Sequence, residues 1–344
     1  MDFLSFFIIC VKVLLVFAGT LLAVLIMVYA ERRVSAFMQG RLGPNRVGPQ
    51  GLLQPIADGI KFLMKEDIIP DGVNKPIYLL APVIMLIPAL MTFAVIPFGS
   101  TITLFDRDII LQVADVNIGI LYILALTSIG VYGIVLAGWA SNSKYTLIGG
   151  LRSSAQLISY ELALGLSVVS IILMSGSLRL NDIVADQQGY FLSWYVFKQP
   201  LAFLIFLIAT YAETNRLPFD LAEAEQELVG GYHTEYSSMK FAMFFMSEYA
   251  NMITAAALTV TLFFGGWDVP LLDEKSLGIW GAMLSVVSFI LKMGFFLFLF
   301  IWIRWTFPRF RYDQLMKLGW KVLLPLSLIN IFITGGYLTL AALK

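Results

Sequence analysis

Eight apolar runs recur along the chain and leave it few ways to fold. They lie near residues 3–29, 77–97, 118–139, 155–174, 200–212, 241–264, 279–303 and 322–343. About twenty apolar residues let a helix cross the hydrocarbon core of a bilayer, and a helix satisfies its own backbone groups there. The fifth run is short unless it begins in residues 194–197, and the first is too long for a signal peptide. We predict an all-α integral membrane protein with about eight transmembrane helices.

The composition supports one membrane domain over residues 1–344. Of these residues 59% are hydrophobic and 13% are charged, so a soluble domain of this size would expose too much apolar surface. A formal net charge of zero argues against nucleic acid as a partner. The chain has one cysteine, Cys10, and one histidine, His233. These counts exclude an intrachain disulfide, a thiolate cluster and a bis-histidine haem.

Lysine and arginine divide unevenly between the two sets of loops. The loops after helices one, three, five and seven carry 16 of them, whereas the opposite loops carry 4. Positive residues accumulate in cytoplasmic loops. The split therefore predicts that both termini face the periplasm and that the loops at residues 31–76 and 213–240 are cytoplasmic.

The 31–76 loop contains an amphipathic stretch, GLLQPIADGIKFLMKE, at residues 51–66. On a helix its apolar residues share one face, and they are Leu52, Leu53, Ile56, Ile60, Leu63 and Met64. We predict a helix that lies in the membrane interface rather than across it. Two interpretations stay open, a plain surface anchor and one wall of a cavity.

Arginines and turn residues crowd the segment before this helix, ERRVSAFMQGRLGPNRVGPQG. The candidate binding residues are Arg32, Arg33, Arg41 and Arg46. Anchoring at the positive side of the membrane accounts for Arg32 and Arg33. It does not account for so long a Gly/Pro loop, which is typical of a binding segment.

The second loop is acidic, reading PFDLAEAEQELVGGYHTEYS at residues 218–237. If a helix begins at Pro218, then Asp220, Glu223 and Glu227 share one face and Glu225 points away. Close carboxylates repel one another, so we expect one or more to hold a proton near neutral pH. The face is then a candidate proton entrance, and the alternative is a solvated acidic helix start.

Three further acids, Glu161, Glu213 and Glu248, fall within or at the end of apolar runs. A charge at mid-membrane costs at least about 2.5 kcal/mol, so such acids face a wet cavity, pair with a base or stay protonated. We expect Arg216 to partner Glu213, and Lys292 to partner Glu161 or Glu248. A purely structural buried pair is the alternative.

Two stretches, ERRVSAFMQGRLGPNRVGPQGLLQPIADGIKFLMKED and AETNRLPFDLAEAEQELVGGYHTEYS, carry a specific resemblance. They closely resemble the signature stretches of the H-type membrane subunit of respiratory complex I, which adjoins the quinone site. The resemblance covers essentially the whole chain. It implies a subunit of a proton-translocating NADH:quinone oxidoreductase.

That resemblance implies that the chain forms much of the channel and chamber for quinone, such as ubiquinone. Quinone would enter between helix one, the interfacial helix and helix six. The implied chamber residues are Arg32, Arg33, Arg41, Arg46, Phe62 and Arg216. The residues implied to couple quinone reduction to proton translocation are Glu161, Glu213, Asp220, Glu223, Glu225, Glu227 and Glu248.

The resemblance also implies partners and a location. The chain would bind no cofactor, with quinone as substrate and with NADH, FMN and iron–sulfur clusters on partner subunits. Partners would be peripheral quinone-site and iron–sulfur subunits, antiporter-like membrane subunits and lipid, in a bacterial inner (plasma) membrane. Two alternatives stay open. One is a related complex with another electron donor, such as a hydrogenase module, and the other is a stand-alone proton-coupled transporter, although paired discontinuous helices are not evident.

Overall fold

The computed structural model of the chain describes residues 3–104, 107–221, 228–270, 272 and 278–343. Helices make up most of it. They are α1 (Phe3–Met38), α2 (Gln54–Met64), α3 (Lys75–Met91), α4 (Gly119–Ala140), α5 (Lys144–Ser175), α6 (Leu180–Ala185), α7 (Tyr195–Lys198), α8 (Pro200–Glu213), α9 (Ser238–Phe263), α10 (Ile279–Thr306), α11 (Tyr312–Lys317) and α12 (Leu324–Ala342). A π-helical segment, Leu318–Leu323, joins the last two into one continuous span.

Seven helical spans in the described part of the chain are long and apolar enough to cross a membrane, which confirms the predicted class. The remaining predicted span, the fifth apolar run, is α8, with 14 residues. At 1.5 Å per residue it is about 21 Å long, less than the roughly 30 Å of a hydrocarbon core. Residues 195–198 do not extend it, because Gln199 leaves the helical region before Pro200 and α7 stands apart.

A β-hairpin that the sequence analysis did not predict connects α3 to α4. Strands β1 (Gly99–Leu104) and β2 (Arg107–Leu111) pair antiparallel. The Ser100 N–H donates to Ser285 Oγ of α10 at 2.9 Å, which fastens the hairpin to the bundle. Strands of five or six residues give no signal when the sequence is searched for twenty-residue apolar runs.

Helix α9 lies at the centre of the bundle and α1 at its edge. In the most apolar segment of α9, 72% is buried inside the protein, against 11% in α1. The run Ala255–Ala257 gives α9 small side chains, which let neighbouring helices approach closely. Helices α1, α3, α8 and α10 all contact α9. Acids and bases placed on α9 therefore meet groups from several other helices.

Helix α2 confirms the predicted amphipathic helix in the 31–76 loop. Its apolar face is not packed against the bundle, since Ile60 and Leu63 are more than half exposed. Its polar face is held to α1 by an ion pair between Asp58 and Arg32. The Phe62 ring lies 6.0 Å from the Phe241 ring of α9. This exposed apolar face agrees with the prediction that α2 lies in the membrane interface.

Candidate functional site

Four charged side chains, Glu31, Arg216, Glu248 and Arg304, meet where the bundle adjoins the 31–76 loop and are named here the charged cluster. Glu31 of α1 forms an ion pair with Arg304 of α10, and Arg216 Nη1 lies 3.6 Å from a Glu31 carboxylate oxygen. Arg216 Nη2 lies 3.8 Å from Glu248 Oε2. Glu31, Arg216 and Glu248 are each less than a tenth exposed. Two acids and two bases thus balance one another, and three of the four lie away from water, where an unpaired charge is costly.

Two tyrosines fix the geometry of the charged cluster. The Tyr249 hydroxyl donates to Glu31 Oε2 at 2.6 Å, and the Tyr232 hydroxyl donates to Glu248 Oε1 at 3.0 Å. The Arg216 guanidinium also lies 4.4 Å from the centre of the Tyr249 ring. Hydrogen bonds to ionised groups and a cation over an aromatic face are both strong in a buried setting. Each carboxylate therefore has a defined direction.

Glu248 links the charged cluster to a small cavity inside the bundle. Glu161 of α5 and Glu213 of α8 line the same cavity, whose volume is about 30 Å³. That volume is large enough for a water molecule with polar groups around it. The Ser128 hydroxyl of α4 donates to Glu161. Carboxylates that border a water-sized space can pass protons, so this arrangement is suited to proton transfer.

A second cavity, with a mostly apolar lining, adjoins the first toward the middle of the bundle. Its volume is about 20 Å³, and it shares Thr127, Glu213, Thr214 and Asn251 with the first. Thr210 and Thr254 also line it. Leucine, isoleucine and alanine side chains line the rest of it, so only isolated hydroxyl and amide groups continue beyond the acids.

The chain after α8 aims Arg216 into the bundle through tertiary contacts. Gln156 Nε2 of α5 donates to the carbonyls of Ala212 at 2.8 Å and Phe219 at 2.9 Å. The Phe310 N–H donates to the Pro218 carbonyl at 3.1 Å. These bonds replace the i to i+4 bonds of a helix, so residues 217–221 are not helical. The predicted helix start at Pro218 is wrong for this reason.

The acidic loop is described only in part. Asp220 forms an ion pair with Arg309, at 3.1 Å between Oδ2 and Nη2. It is therefore bound to a base and does not stand on an open acidic face. The three remaining predicted acids of this loop, Glu223, Glu225 and Glu227, lie outside the described residues. Because Asp220 is not helical, the predicted helical face does not include it, and the placement of Glu223 and Glu227 on one face stays untested.

Both predicted partners of the buried acids are wrong. Arg216 pairs with Glu31 and Glu248, and Glu213 has no ion pair with any described residue. Lys292 Nζ instead donates to backbone carbonyls at the far end of α9, including Phe264 at 2.9 Å and Asp268 at 2.7 Å. Sixteen residues separate Phe264 from Glu248, which is about 24 Å along a helix. Sequence spacing could not show that distance because it depends on where two helices cross.

The four arginines predicted in the 31–76 loop do not converge on one point. Arg32 and Arg41 line a surface cavity of about 270 Å³ together with Ser35 and residues 42–44. Arg33 Nη1 donates to the Pro44 carbonyl at 3.1 Å and so braces the loop. Arg46 is exposed and does not line this cavity. Two of the four thus form an open basic site.

The Gly/Pro loop is ordered, with the defined turns that its sequence suggests. Gly51 has φ +79°, and a Cβ there would lie 2.3 Å from the Pro44 carbonyl oxygen. No other residue type fits without moving the backbone. The Tyr29 hydroxyl donates to the Gln50 carbonyl at 2.9 Å. The loop is therefore tied to the end of α1, beside the charged cluster.

Comparisons with known proteins identify the family. A family model described as NADH dehydrogenase matches residues 11–335. The chain is 57% identical over 335 residues to an H-type NADH-quinone oxidoreductase subunit of Geobacter sulfurreducens, covering 94% of this chain and 93% of that protein. The chain belongs to the family of H-type NADH-quinone oxidoreductase subunits. An H-type relative from Cytophaga hutchinsonii is 50% identical over 330 residues, covering 94% and 95%.

Membership of this H-type family confirms the resemblance seen in the two signature stretches. The chain is a multi-pass membrane subunit of an enzyme complex, complex I, and its partners are other complex I subunits. The relatives named above are subunits of quinone oxidoreductases, not of hydrogenases or transporters. The two alternatives left open by the sequence thus find no support in these relatives.

Sequence reasoning missed four residues of the site in this H-type chain, namely Glu31, Arg304, Tyr232 and Tyr249. A signal for Glu31 was present, because it is the only acid between Phe3 and Ala57. A lone acid at the end of a long apolar helix needs a partner. Nothing in the sequence named that partner as Arg304, which is 273 residues away.

Proposed function

We propose that this H-type protein forms much of the channel and chamber through which quinone, such as ubiquinone, reaches its site of reduction. We further propose that it couples this reduction to proton translocation through a chain of carboxylates. Quinone enters from the lipid between α1, α2 and α9. NADH, FMN and iron–sulfur clusters reside on partner subunits, and antiporter-like subunits receive the coupling signal. The complex lies in a bacterial inner membrane with both termini of this chain in the periplasm.

One observation carries the proposal, the succession of charged groups from the loop to the bundle interior. Arg32 lines the basic surface cavity, and the residue before it in the chain, Glu31, belongs to the charged cluster. Arg216 bridges Glu31 to Glu248. Glu248 then borders the water-sized cavity that Glu161 and Glu213 share.

The arrangement suits coupling on electrostatic grounds. Negative charge that develops on a reduced quinone near Arg32 and Arg41 competes with Glu31 for the neighbouring arginines. Attraction between charges is strong where water is excluded, so a shift at Arg216 changes the field at Glu248. Protons then redistribute among the acids around the internal cavity. The basic groups hold the substrate, and the acidic groups register its charge.

Replacing Glu213 with Gln tests the proposal, because the amide keeps the shape of the side chain and cannot carry a proton in the same way. We expect the complex to assemble and to reduce a hydrophilic artificial acceptor at the normal rate. Quinone-linked turnover and proton pumping should both fall, by about 100-fold if Glu213 acts in obligatory proton transfer. Glu66→Gln, an exposed acid of the 31–76 loop, is the matched control and should leave both rates unchanged.

The decisive comparison is between the two assays in the same membranes. Full quinone-linked turnover and pumping in an assembled Glu213→Gln complex would refute a coupling role for the internal cavity. Equal loss of artificial-acceptor and quinone activity would show that the Glu213→Gln complex is misassembled. In that case Glu213→Asp, which retains the acid, should also lose both activities.

A further inference from the structure

A long apolar crevice opens on the side of the bundle that carries α1. Its volume is about 480 Å³, within the roughly 300–1,000 Å³ range of small-molecule sites. Residues of α1 such as Leu15 and Leu22 form one wall, and Phe289 and Ile290 of α10 form another. Leu15, Leu22 and Ile290 are each more than half exposed, so the crevice is open laterally. Its walls would contact hydrocarbon in a bilayer.

One end of the crevice is polar and rigid. Lys12 of α1 lines it, and Lys12 Nζ donates to the backbone carbonyl of Gln112 at 3.1 Å. Gln112 is only 5% exposed. Its side chain is held between the Asn181 amide, which donates to it, and the Val95 carbonyl, to which it donates. The ammonium group is therefore positioned by a buried polar residue.

Lys12 differs from most of the buried and half-buried bases of the chain in its partners. Arg216 and Arg304 are paired with carboxylates, whereas Lys12 forms no ion pair with any described residue. One neutral carbonyl satisfies one of its three donors. A cation held at the mouth of an apolar crevice has unused capacity for an anionic oxygen.

The position of Lys12 along α1 matches a membrane surface. Lys12 lies beside Gln112, which follows the β-hairpin between α3 and α4 at the end of the bundle opposite the 31–76 loop. Arg32, at the 31–76 loop, is twenty residues further along α1, and twenty residues of helix span about 30 Å, the thickness of a hydrocarbon core. Lys12 is thus level with the headgroups of the leaflet opposite the 31–76 loop. Lysines at such depths direct their ammonium groups to the interface.

We propose that this crevice binds a phospholipid of the leaflet opposite the 31–76 loop. One acyl chain lies against Leu15, Leu22 and Phe289, and a phosphate oxygen accepts a hydrogen bond from Lys12. The charge at the mouth of the crevice selects a phosphate over a neutral quinone headgroup. The site is separate from the charged cluster, which lies at the other end of α1. Bound lipid would fill the space between α1 and α10.

Gly19 offers an independent way to close the crevice. It lies on α1 in the crevice lining, and no heavy atom lies within 4 Å of the position that a Cβ would take. Gly19→Leu would therefore insert a side chain into the acyl-chain space without a backbone clash. Gly336→Leu is the matched control, since Gly336 is an exposed helical glycine of α12 with equally open space. Lys198→Gln is the control for Lys12→Gln, since Lys198 is an exposed lysine.

The experiment uses the whole complex, purified in mild detergent and reconstituted with phosphatidylglycerol that carries a photoreactive group on one acyl chain. After illumination, peptides from residues 11–27 are examined for attached lipid. We expect labelling in the wild type and in both controls. Lys12→Gln should lower it about tenfold, the effect of one lost charge-assisted contact, and Gly19→Leu should lower it at least as much.

Two results would overturn the proposal. One is labelling of residues 11–27 that persists unchanged in both Lys12→Gln and Gly19→Leu, which would indicate bulk lipid only. The other is efficient labelling by a photoreactive quinone that excess phosphatidylglycerol does not displace, which would make the crevice a quinone site. The Lys12→Gln and Gly19→Leu variants test the crevice independently, so if one of them misfolds the other still gives a test.

Discussion

Two groups of charged residues at opposite ends of the helix bundle differ in burial and pairing. At the end that carries the 31–76 loop, Glu31, Arg216 and Glu248 are buried and paired with one another. At the other end, the Asp115 and Arg179 ion pair lies at the surface, and Lys12 faces a crevice with no acid beside it among the described residues. The buried, paired charges interact strongly with one another, whereas the Asp115 and Arg179 pair faces solvent and Lys12 faces the crevice.

The difference teaches where coupling is physically possible. Removing a charge from a buried pair changes the energy of its partner strongly, because little water screens the interaction. An exposed pair contributes little, since solvent competes with it. A signal can therefore travel through the charged cluster, and the opposite end is suited to anchoring the protein in lipid.

The largest expected effect comes from removing the central base of the charged cluster. Arg216→Met leaves Glu31 and Glu248 short of a buried partner, which should lower the free energy of unfolding by about 3–5 kcal/mol. Arg179→Met, the matched change at the other end, should cost about 0.2–1 kcal/mol. Thermal unfolding midpoints of the purified complexes measure the contrast. Similar shifts in the two variants would break the comparison between the ends.

A smaller effect is expected from two glycines with left-handed backbone. Gly176→Ala, after α5, introduces only backbone strain, since its Cβ would have open space, and should cost roughly 1–2 kcal/mol. Gly51→Ala should cost more, because its Cβ would lie 2.3 Å from the Pro44 carbonyl oxygen. Limited proteolysis of the 31–76 loop and quinone-linked turnover would reveal the difference. Equal results for Gly176→Ala and Gly51→Ala would mean that the close contact between Gly51 and Pro44 does not stabilise the loop.

The smallest effect is a pH dependence at the hairpin end. Hydrogen bonds from Arg179, including Nε to Asp115 Oδ1 at 2.9 Å, hold the pKa of Asp115 below its ordinary value of 3.8. A lowered pKa in the folded state gives stability that is present above the unfolded pKa and is lost as pH falls. The stability difference between wild type and Asp115→Asn should thus shrink below about pH 4.

That pH dependence has a simple measurement and a simple refutation. Thermal unfolding midpoints of both proteins are recorded between pH 6 and pH 3. The corresponding difference in the free energy of unfolding at higher pH should be about 1 kcal/mol or less for so exposed a pair. A difference that grows on acidification would contradict the lowered pKa of Asp115.

The sequence by itself determined the membrane class, most of the spans and the family. Apolar length alone selects a membrane helix, since no alternative satisfies the backbone in lipid. The amphipathic pattern of α2 was equally informative because it is local and periodic. Two long signature stretches were specific enough to name the H-type family of complex I. Each of these signals is contained within a short length of chain.

Only the tertiary structure decided which charges meet. Arg304 and Glu31 lie 273 residues apart, and Gln156 of α5 shapes the chain around Arg216. The same holds for Lys292, which binds carbonyls at the far end of α9 and not the predicted acids. Spacing along one chain predicts neighbours on one helix, but contacts between helices depend on their crossing and relative depth. Those two quantities are set by packing of the whole bundle.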